Sequence, residues 1–297
     1  MAPTPIGRRF DRATPATPRR RDPAHRTAAG RHGLQGAHPP VSDGADSPQR
    51  AVEPEITVVV ACYMEEGHLR DSIAQLTATL EQMGRSHELV FIEDKSTDAT
   101  AAIVRELCDG HPHRRAVYHP QNVGRGGTVA EGFQLARGRI VGFLDIDLEV
   151  HCRYLPDVIR AIDDGADGAT AYRHYRVGWH PHAWLRHVLS QGYRWLFRMM
   201  FDVPFRDPET GFKFFRRDKI LPVVARTEDV GWFWDSEIMI LAHEAGLRVV
   251  EVPTHFERRA DKASTVRICR DVWAYLVAIR RFRRRWRSGR STRSAPQ

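Results

Sequence analysis

The chain has 297 residues, of which 42% are hydrophobic and 9% aromatic, so it is long enough to bury the core of one large α/β domain. Its four cysteines form no CxxC pair, which argues against a disulfide framework and against a structural zinc site. No apolar run of about 18 residues or more is present, and the N-terminus lacks the apolar centre of a signal peptide. We therefore expect a cytoplasmic protein without a membrane-spanning helix.

The formal net charge of +8 is concentrated at the two ends of the chain. Residues 1–50 are rich in Pro, Ala and Arg and contain almost no large apolar residues, which predicts a disordered tail. Residues 51–266 contain the strands and helices of the predicted folded domain. Residues 267–297 carry ten Arg against one acidic residue and predict a basic amphipathic helix and tail. Such a segment suits an anionic membrane surface or nucleic acid, and it equally suits a solubilising tail.

Strands and helices alternate through the predicted domain. The predicted strands cover residues 56–62, 88–93, 117–119, 140–144 and 168–172. The predicted helices lie between them, over residues 69–83, 96–108, 128–136 and 155–164, with Ser96 or Thr97 as the N-cap of the second. The strands are short, apolar and rich in β-branched residues, as is typical of strands covered on both faces. The alternation predicts an α/β fold with a mostly parallel central sheet and helices on both faces.

Acidic residues follow three of these strands, at the sheet edge where ligands of such folds bind. They are Glu65, Glu93, Asp94, Asp145 and Asp147. If the chain stays extended after residue 144, the carboxylates of Asp145, Asp147 and Glu149 leave the same face. Mg²⁺ or Mn²⁺ prefers such oxygen ligands and is commonly completed by substrate phosphates. The alternative is a solvated turn that happens to be rich in Asp.

Several short motifs follow one another in a fixed order along about two-thirds of the chain. They are Tyr63-Met64-Glu65, Glu93-Asp94-Lys95-Ser96-Thr97-Asp98, Asn122-Val123-Gly124-Arg125-Gly126, Asp145-Ile146-Asp147, Thr210-Gly211-Phe212-Lys213, Trp234-Asp235-Ser236-Glu237 and Glu251-Val252-Pro253. In this order they resemble the family 2 glycosyltransferases, especially the branch of dolichyl- or polyprenyl-phosphate hexose (mannose or glucose) synthases. The resemblance implies a GT-A fold, a GDP- or UDP-sugar donor, a divalent cation (Mg²⁺ or Mn²⁺) and a polyprenyl phosphate acceptor.

The resemblance also assigns roles to individual residues. It implies nucleotide contacts from Tyr63, Glu65, Glu93, Asp94, Arg125 and Asp145. It implies a metal held by Asp145, Asp147 and Glu149 against the diphosphate. Arg173 and Arg259 would contact phosphate, although either could form a surface ion pair. Glu65 could instead stabilise a helix N-terminus.

The acceptor decides whether a general base is needed. An acceptor phosphate is already anionic and needs positioning and charge neutralisation, which arginines supply. A hydroxyl acceptor needs a base, for which Asp235 and Glu237 are the candidates. Their alternative role is to cap the helix predicted from residue 236 to residue 245. Direct displacement at the anomeric carbon inverts its configuration.

Two segments combine aromatic and basic residues in a way that favours membrane contact. Residues 183–203 predict an interfacial amphipathic helix, and residues 271–287 predict a second one that ends in a run of arginines. Both could instead pack on the sheet. Two other functions remain open: transfer to a hydroxyl acceptor in polysaccharide or natural-product synthesis, and nucleic-acid binding by the basic tail. We expect a peripheral membrane enzyme with no nucleic-acid partner.

Overall fold

The computed structural model of the protein describes residues 53–174, 197, 199–257 and 268–293, the last segment with side chains over 273–286. The predicted tail of residues 1–50 and most of the predicted helix of residues 183–203 lie outside the described residues. Among the described residues, no helix is long and apolar enough to cross a membrane.

Seven strands of the described chain form one sheet. They are β1 (Ile56–Cys62), β2 (His87–Glu93), β3 (Arg114–Tyr118), β4 (Ile140–Leu144), β5 (Gly168–His174), β6 (Phe212–Arg216) and β7 (Val249–His255). The helices are α1 (Leu69–Gln82), α2 (Thr100–Cys108), α3 (Arg125–Leu135), α4 (Leu155–Asp163), α5 (Arg217–Val224), α6 (Trp234–Glu244) and α7 (Ile268–Arg293), with a short 3-10 turn at Cys152–Tyr154.

The strand order is β3-β2-β1-β4-β6-β5-β7. Only β6 runs antiparallel to its two neighbours, β4 and β5, and the other pairs are parallel. The prediction of a mostly parallel α/β sheet is therefore confirmed. Strands β6 and β7 were not predicted from the sequence, and β6 is the strand that makes the sheet mixed.

Helices cover both faces of the sheet because the strand side chains alternate between two buried clusters. In β1, Val58 and Val60 join the cluster that contains Leu76 of α1, whereas Val59 joins the cluster that contains Phe133 of α3. Helices α1, α2 and α4 pack on the first face, and α3, α5, α6 and α7 pack on the second. Strands buried on both faces explain why these segments read as continuous apolar runs.

Helices α2 and α3 begin at residues other than the predicted ones. Helix α2 begins at Thr100 and not at Ser96, so the predicted N-cap at Ser96 or Thr97 was wrong. The reason is that the Ser96 N–H donates to Glu93 Oε1 over 2.6 Å, which keeps this segment in a loop. Helix α3 begins earlier than predicted, at Arg125, because Gly124 enters it with a φ of +102° that suits glycine.

We predict that Gly132→Ala destabilises the fold, although alanine is the better helix former. A Cβ at residue 132 would lie 2.2 Å from Val59 Cγ1, so helix α3 would have to move away from β1. Such overpacking costs roughly 1–3 kcal/mol, which exceeds the helix-propensity gain of about 1 kcal/mol. Denaturant unfolding measures the difference. Gly67→Ala is the matched control because its Cβ would meet no atom within 4 Å. A Gly132→Ala variant as stable as the parent contradicts the prediction.

Candidate functional site

The chain turns sharply where β4 ends. The Asp145 N–H donates to the Gly211 carbonyl over 2.7 Å, and the Leu148 N–H donates back to the Asp145 carbonyl over 3.0 Å. Leu148 has a φ of +54° in this turn. The condition of an extended segment after residue 144 is therefore not met, and the turn, not strand parity, sets where the carboxylates point.

The three carboxylates predicted to bind metal nevertheless share one cleft. It is lined by Asp145, Asp147, Glu149, Val150, Arg173, Thr210, Gly211 and Phe256. The cleft lies beyond the carboxyl end of β4, as the fold class predicts. Gly211 closes it tightly, because a Cβ there would lie 1.8 Å from Asp145 Oδ2. Any side chain at position 211 would displace the Asp145 carboxylate.

The donor set of the cleft suits a divalent cation in its chemistry, since hard cations take carboxylate oxygens. The carboxylates are not arranged as a complete metal site. No group of three or more His, Cys, Asp or Glu side chains in the described segments is placed to hold a metal ion. Asp145 Oδ1 instead accepts a hydrogen bond from Arg125 over 2.5 Å, and Asp147 Oδ1 accepts the Glu149 N–H over 3.2 Å. Arg125 thus occupies one of the two Asp145 oxygens that a cation could use.

Arg125 joins the cleft to a buried group of charges. Its guanidinium contacts both Asp145 and Asp235, and it stacks on the rings of Phe143 and Trp232 at 5.3 and 5.5 Å. Burial acts to lower the pKa of Arg125, but the two carboxylates outweigh it and hold that pKa above its ordinary value. Arg125 thus stays charged at the start of α3, where the resemblance implies a nucleotide contact.

Asp235 is buried beneath this arginine. Its side chain is paired with Arg125 and lies 3.4 Å from the ammonium of Lys213, which is itself fully buried and donates to the Thr210 carbonyl. Burial raises the pKa of Asp235 and lowers that of Lys213. No role for Lys213 was predicted from the sequence, although a single lysine within the strand segment Phe-Lys-Phe-Phe indicates a buried, paired charge.

Glu237, the second predicted base, is also buried and fully engaged. Its carboxylate accepts the backbone N–H groups of Glu228 and Asp229 at 2.8–3.2 Å, and it pairs with Arg285 of α7. Burial raises the pKa of Glu237, against the opposing effect of these donors. Glu237 therefore anchors the segment that precedes α6. Neither carboxylate caps the helix at the predicted start, since α6 begins at Trp234.

Asp94 shapes the glycine-rich loop that leads into α3. Its carboxylate accepts the N–H groups of Val123 and Gly124 at 2.7 and 2.9 Å, an amide N–H of Asn122 at 2.9 Å, and a bond from His119 at 2.7 Å. These donors occupy both oxygens of the carboxylate, and the nucleotide contact that the resemblance implies for Asp94 stays a prediction. Asp94 holds the loop, and the loop presents Arg125.

His119 extends this network to α3, because its second ring nitrogen lies 2.7 Å from Glu131 Oε2. Burial lowers the pKa of His119, but the two carboxylates outweigh it and raise that pKa above its ordinary value. The other predicted nucleotide residues differ in their surroundings. Tyr63 is 45% exposed, Glu65 contacts His68, and Glu93 is buried with Ser96 as its partner. Of these three side chains, Tyr63 is thus the one that is exposed to solvent.

Arg173 lies in the cleft, and Asp207 holds it there. Two guanidinium nitrogens of Arg173 donate to the two Asp207 oxygens at 2.7 and 2.8 Å, and the Arg173 N–H donates to the same carboxylate at 3.1 Å. Glu251 Oε1 in turn accepts the N–H groups of Arg206 and Asp207. Arg259, the other predicted phosphate contact, lies outside the described residues.

Two solved structures resemble this fold. Glucosyl-3-phosphoglycerate synthase from Mycobacterium tuberculosis, in complex with Mn²⁺, UDP and phosphoglyceric acid, superposes with a TM-score of 0.53 and 17% identity, covering 71% of this chain and 72% of that one. Mannosyl-3-phosphoglycerate synthase from Rubrobacter xylanophilus gives a TM-score of 0.53 and 15% identity, covering 79% and 75%. At this identity they establish the GT-A fold alone.

Sequence relatives extend the comparison. The chain is 31% identical to glycosyltransferase AglD of Haloferax volcanii over 223 residues, which cover 73% of this chain and 35% of AglD. It is 27% identical to dolichyl-phosphate beta-glucosyltransferase of Saccharomyces cerevisiae over 258 residues, covering 76% of each. It is 27% identical to undecaprenyl-phosphate 4-deoxy-4-formamido-L-arabinose transferase of Edwardsiella ictaluri over 206 residues, covering 68% of this chain and 60% of that protein. The chain thus spans about a third of the length of AglD.

The family model described as Glycosyl transferase family 2 matches residues 57–221. This match covers β1 to β6, the glycine-rich loop, the turn after β4 and every cleft residue except Phe256. The ordered motifs, the fold and the match agree, and the chain belongs to glycosyl transferase family 2.

Proposed function

We propose that the protein transfers a hexose from a nucleotide sugar to a polyprenyl phosphate, with inversion and with the help of a divalent cation. The observation that carries the proposal is the cleft itself, in which Asp145, Asp147 and Glu149 face Arg173 beside the loop that presents Arg125. Carboxylates for a cation and arginines for phosphates are the groups that a diphosphate donor and a phosphate acceptor need. The yeast and Edwardsiella relatives, whose names specify polyprenyl phosphate substrates, support the acceptor.

The donor side of the cleft is suited to an anion. Arg125 begins α3, so its charge adds to the positive end of the helix dipole. Asp147, Glu149 and Asp145 would hold the cation. When bound, such a cation neutralises the charge that develops on the leaving diphosphate. The exposed ring of Tyr63 would stack on the nucleotide base, and the identity of that base is left to experiment.

The acceptor side is suited to a phosphate and not to a hydroxyl group. A hydroxyl acceptor needs a free base, but the two candidate bases are buried, Asp235 between Arg125 and Lys213, and Glu237 against two backbone N–H groups and Arg285. Arg173, which Asp207 holds in one orientation, would instead bind an acceptor that is already ionised. The saturated carboxylates therefore favour the lipid phosphate over the polysaccharide alternative.

Helix α7 provides a surface for membrane contact. Trp273, Leu276 and Val277 are exposed and recur at helical spacing with Arg280 and Arg284, so apolar and basic side chains share one outer face. The opposite face, including Ile279 and Phe282, is buried in the core. An exposed apolar face next to arginines favours an anionic lipid surface over nucleic acid, which needs no apolar face.

We predict that Asp147→Asn lowers transfer to a short polyprenyl phosphate by on the order of 100-fold or more, because it removes a charge from the cation site. The assay uses purified protein, Mn²⁺ or Mg²⁺ and a panel of UDP- and GDP-sugars, and chelation of the metal is expected to abolish transfer.

Asp157→Asn is the matched control for this experiment. Asp157 is an exposed carboxylate on α4 that pairs with Arg160, so its loss should leave transfer unchanged. Donor turnover with a hydroxyl acceptor but not with the lipid phosphate would contradict the proposed acceptor. Full activity of Asp147→Asn would contradict the proposed cation site.

We predict that Trp273→Ser weakens binding of the protein to vesicles that contain anionic lipid, measured by co-sedimentation. The exposed indole should enter the interface, and the arginines beside it should make the binding fall as salt is raised. Tyr118→Ser, which removes an exposed aromatic residue from the edge strand β3, should bind like the parent. Equal binding to neutral and anionic vesicles would count against the arginine contribution.

A further inference from the structure

Arg285 of α7 lies in the arginine-rich segment, and its side chain is turned towards the protein. Its guanidinium contacts both Glu228 and Glu237, and the Glu237 side chain is only 1% exposed. Arg281, one helical turn earlier, is exposed. Glu237 is thus a buried carboxylate whose charge is neutralised by a residue 48 positions away.

Glu237 links Arg285 to the loop that precedes α6. Its carboxylate accepts the N–H groups of Glu228 and Asp229, which fixes the backbone of residues 228–231 immediately before α6. We call residues 228–231 the bridging loop. Tyr275 forms a second contact between α7 and the rest of the domain. Its hydroxyl lies 3.0 Å from Ser236 Oγ and donates to Glu209 over 2.7 Å.

The bridging loop in turn holds the start of α3. The carbonyl of Val230 accepts the N–H groups of Gly126 and Gly127 at 2.9 and 3.2 Å. The approach is too close for a side chain, because a Cβ at Gly124 would lie 2.5 Å from the same carbonyl oxygen. Just after the loop, the Trp232 ring lies against the guanidinium of Arg125. The backbone that presents Arg125 is therefore fixed by the bridging loop.

We propose that Arg285 is a positioning residue for the donor: through Glu237 and the bridging loop it fixes the glycine-rich loop of residues 122–127, so that α7 forms part of the nucleotide-diphosphate site. The inference rests on the proposed function, which places the donor diphosphate at Arg125. Without Arg285, Glu237 would be a buried charge lacking its cation, and the bridging loop would have to rearrange to solvate it. The outer face of α7 can then contact lipid while its inner face supports the donor loop.

The test measures the affinity of the full chain for UDP and for GDP with Mn²⁺, by calorimetry at a temperature well below the Tm of each variant. Arg285→Ala is expected to weaken binding of the preferred nucleotide about tenfold, and Arg285→Lys to recover part of the loss because it restores the charge. Arg281→Ala, which removes an equal charge from an exposed position of the same helix, should bind like the parent.

A double variant separates positioning from general loss of stability. In Glu237→Gln the side-chain oxygen still accepts the loop N–H groups, but no buried charge needs Arg285. Adding Arg285→Ala to Glu237→Gln should therefore weaken binding much less than Arg285→Ala does in the parent, so the two effects are not additive.

Three results would overturn the inference. A lower Tm for Arg285→Ala with unchanged nucleotide affinity would make the contact merely structural. Equal losses for Arg281→Ala and Arg285→Ala would make the effect one of overall charge. Failure of the parent protein to bind either nucleotide would reject both the proposed donor site and the inference. Equal binding by the parent and by Arg285→Ala, as in the first result, would reject the inference alone.

Discussion

The need to neutralise charges beneath the cleft constrains the rest of the site. A charged group that leaves water is tolerated only when partners replace its hydration, and removing one partner is much more costly than never burying the pair. Asp235 meets this need with Arg125 and Lys213, and Glu237 meets it with Arg285 and backbone N–H groups. Each pairing also fixes a side chain or loop that borders the cleft. The same electrostatics that make burial tolerable therefore determine the shape of the site.

Both sides of the cleft use a buried carboxylate to orient groups that would meet phosphate. On one side Asp94 collects N–H groups of the glycine-rich loop and so fixes the backbone before Arg125. On the other side Asp207 forms two parallel hydrogen bonds with Arg173, a geometry that leaves the guanidinium little rotational freedom. Preorganised cations of this kind lose less entropy when a phosphate binds, which suits an acceptor that needs position and not a base.

The sequence predicts the parts of this design that depend on local pattern. The runs at β1 and β4 were predicted with their observed bounds, because β-branched apolar residues in a short continuous run have few other places in an α/β fold. The collection of acidic residues at one sheet edge also follows from strand order and direction. Strand β6 escaped prediction because its antiparallel place between β4 and β5 depends on contacts that are distant in the chain.

Side-chain roles were harder to predict for the same reason. Asp94 has a motif position that suggests a ligand contact, yet its partners lie 25–30 residues downstream and occupy its oxygens. The turn after β4 could not be read from strand parity, since it is set by the hydrogen bond between Asp145 and Gly211 of a later segment. Local sequence indicates which residues carry charge, whereas long-range pairing decides which of those charges remain available to a ligand.

The arginine-rich segment of α7 illustrates the distinction. In the sequence it forms one basic run, which suggests that all its arginines bind one partner, either lipid or nucleic acid. At 3.6 residues per turn the run divides around the helix: Arg280 and Arg284 share a face with exposed Trp273, while Arg285 reaches Glu228 and Glu237. A count of positive charges therefore overstates what the helix can offer to an anionic surface, because the charge of Arg285 already neutralises a buried carboxylate beside the bridging loop.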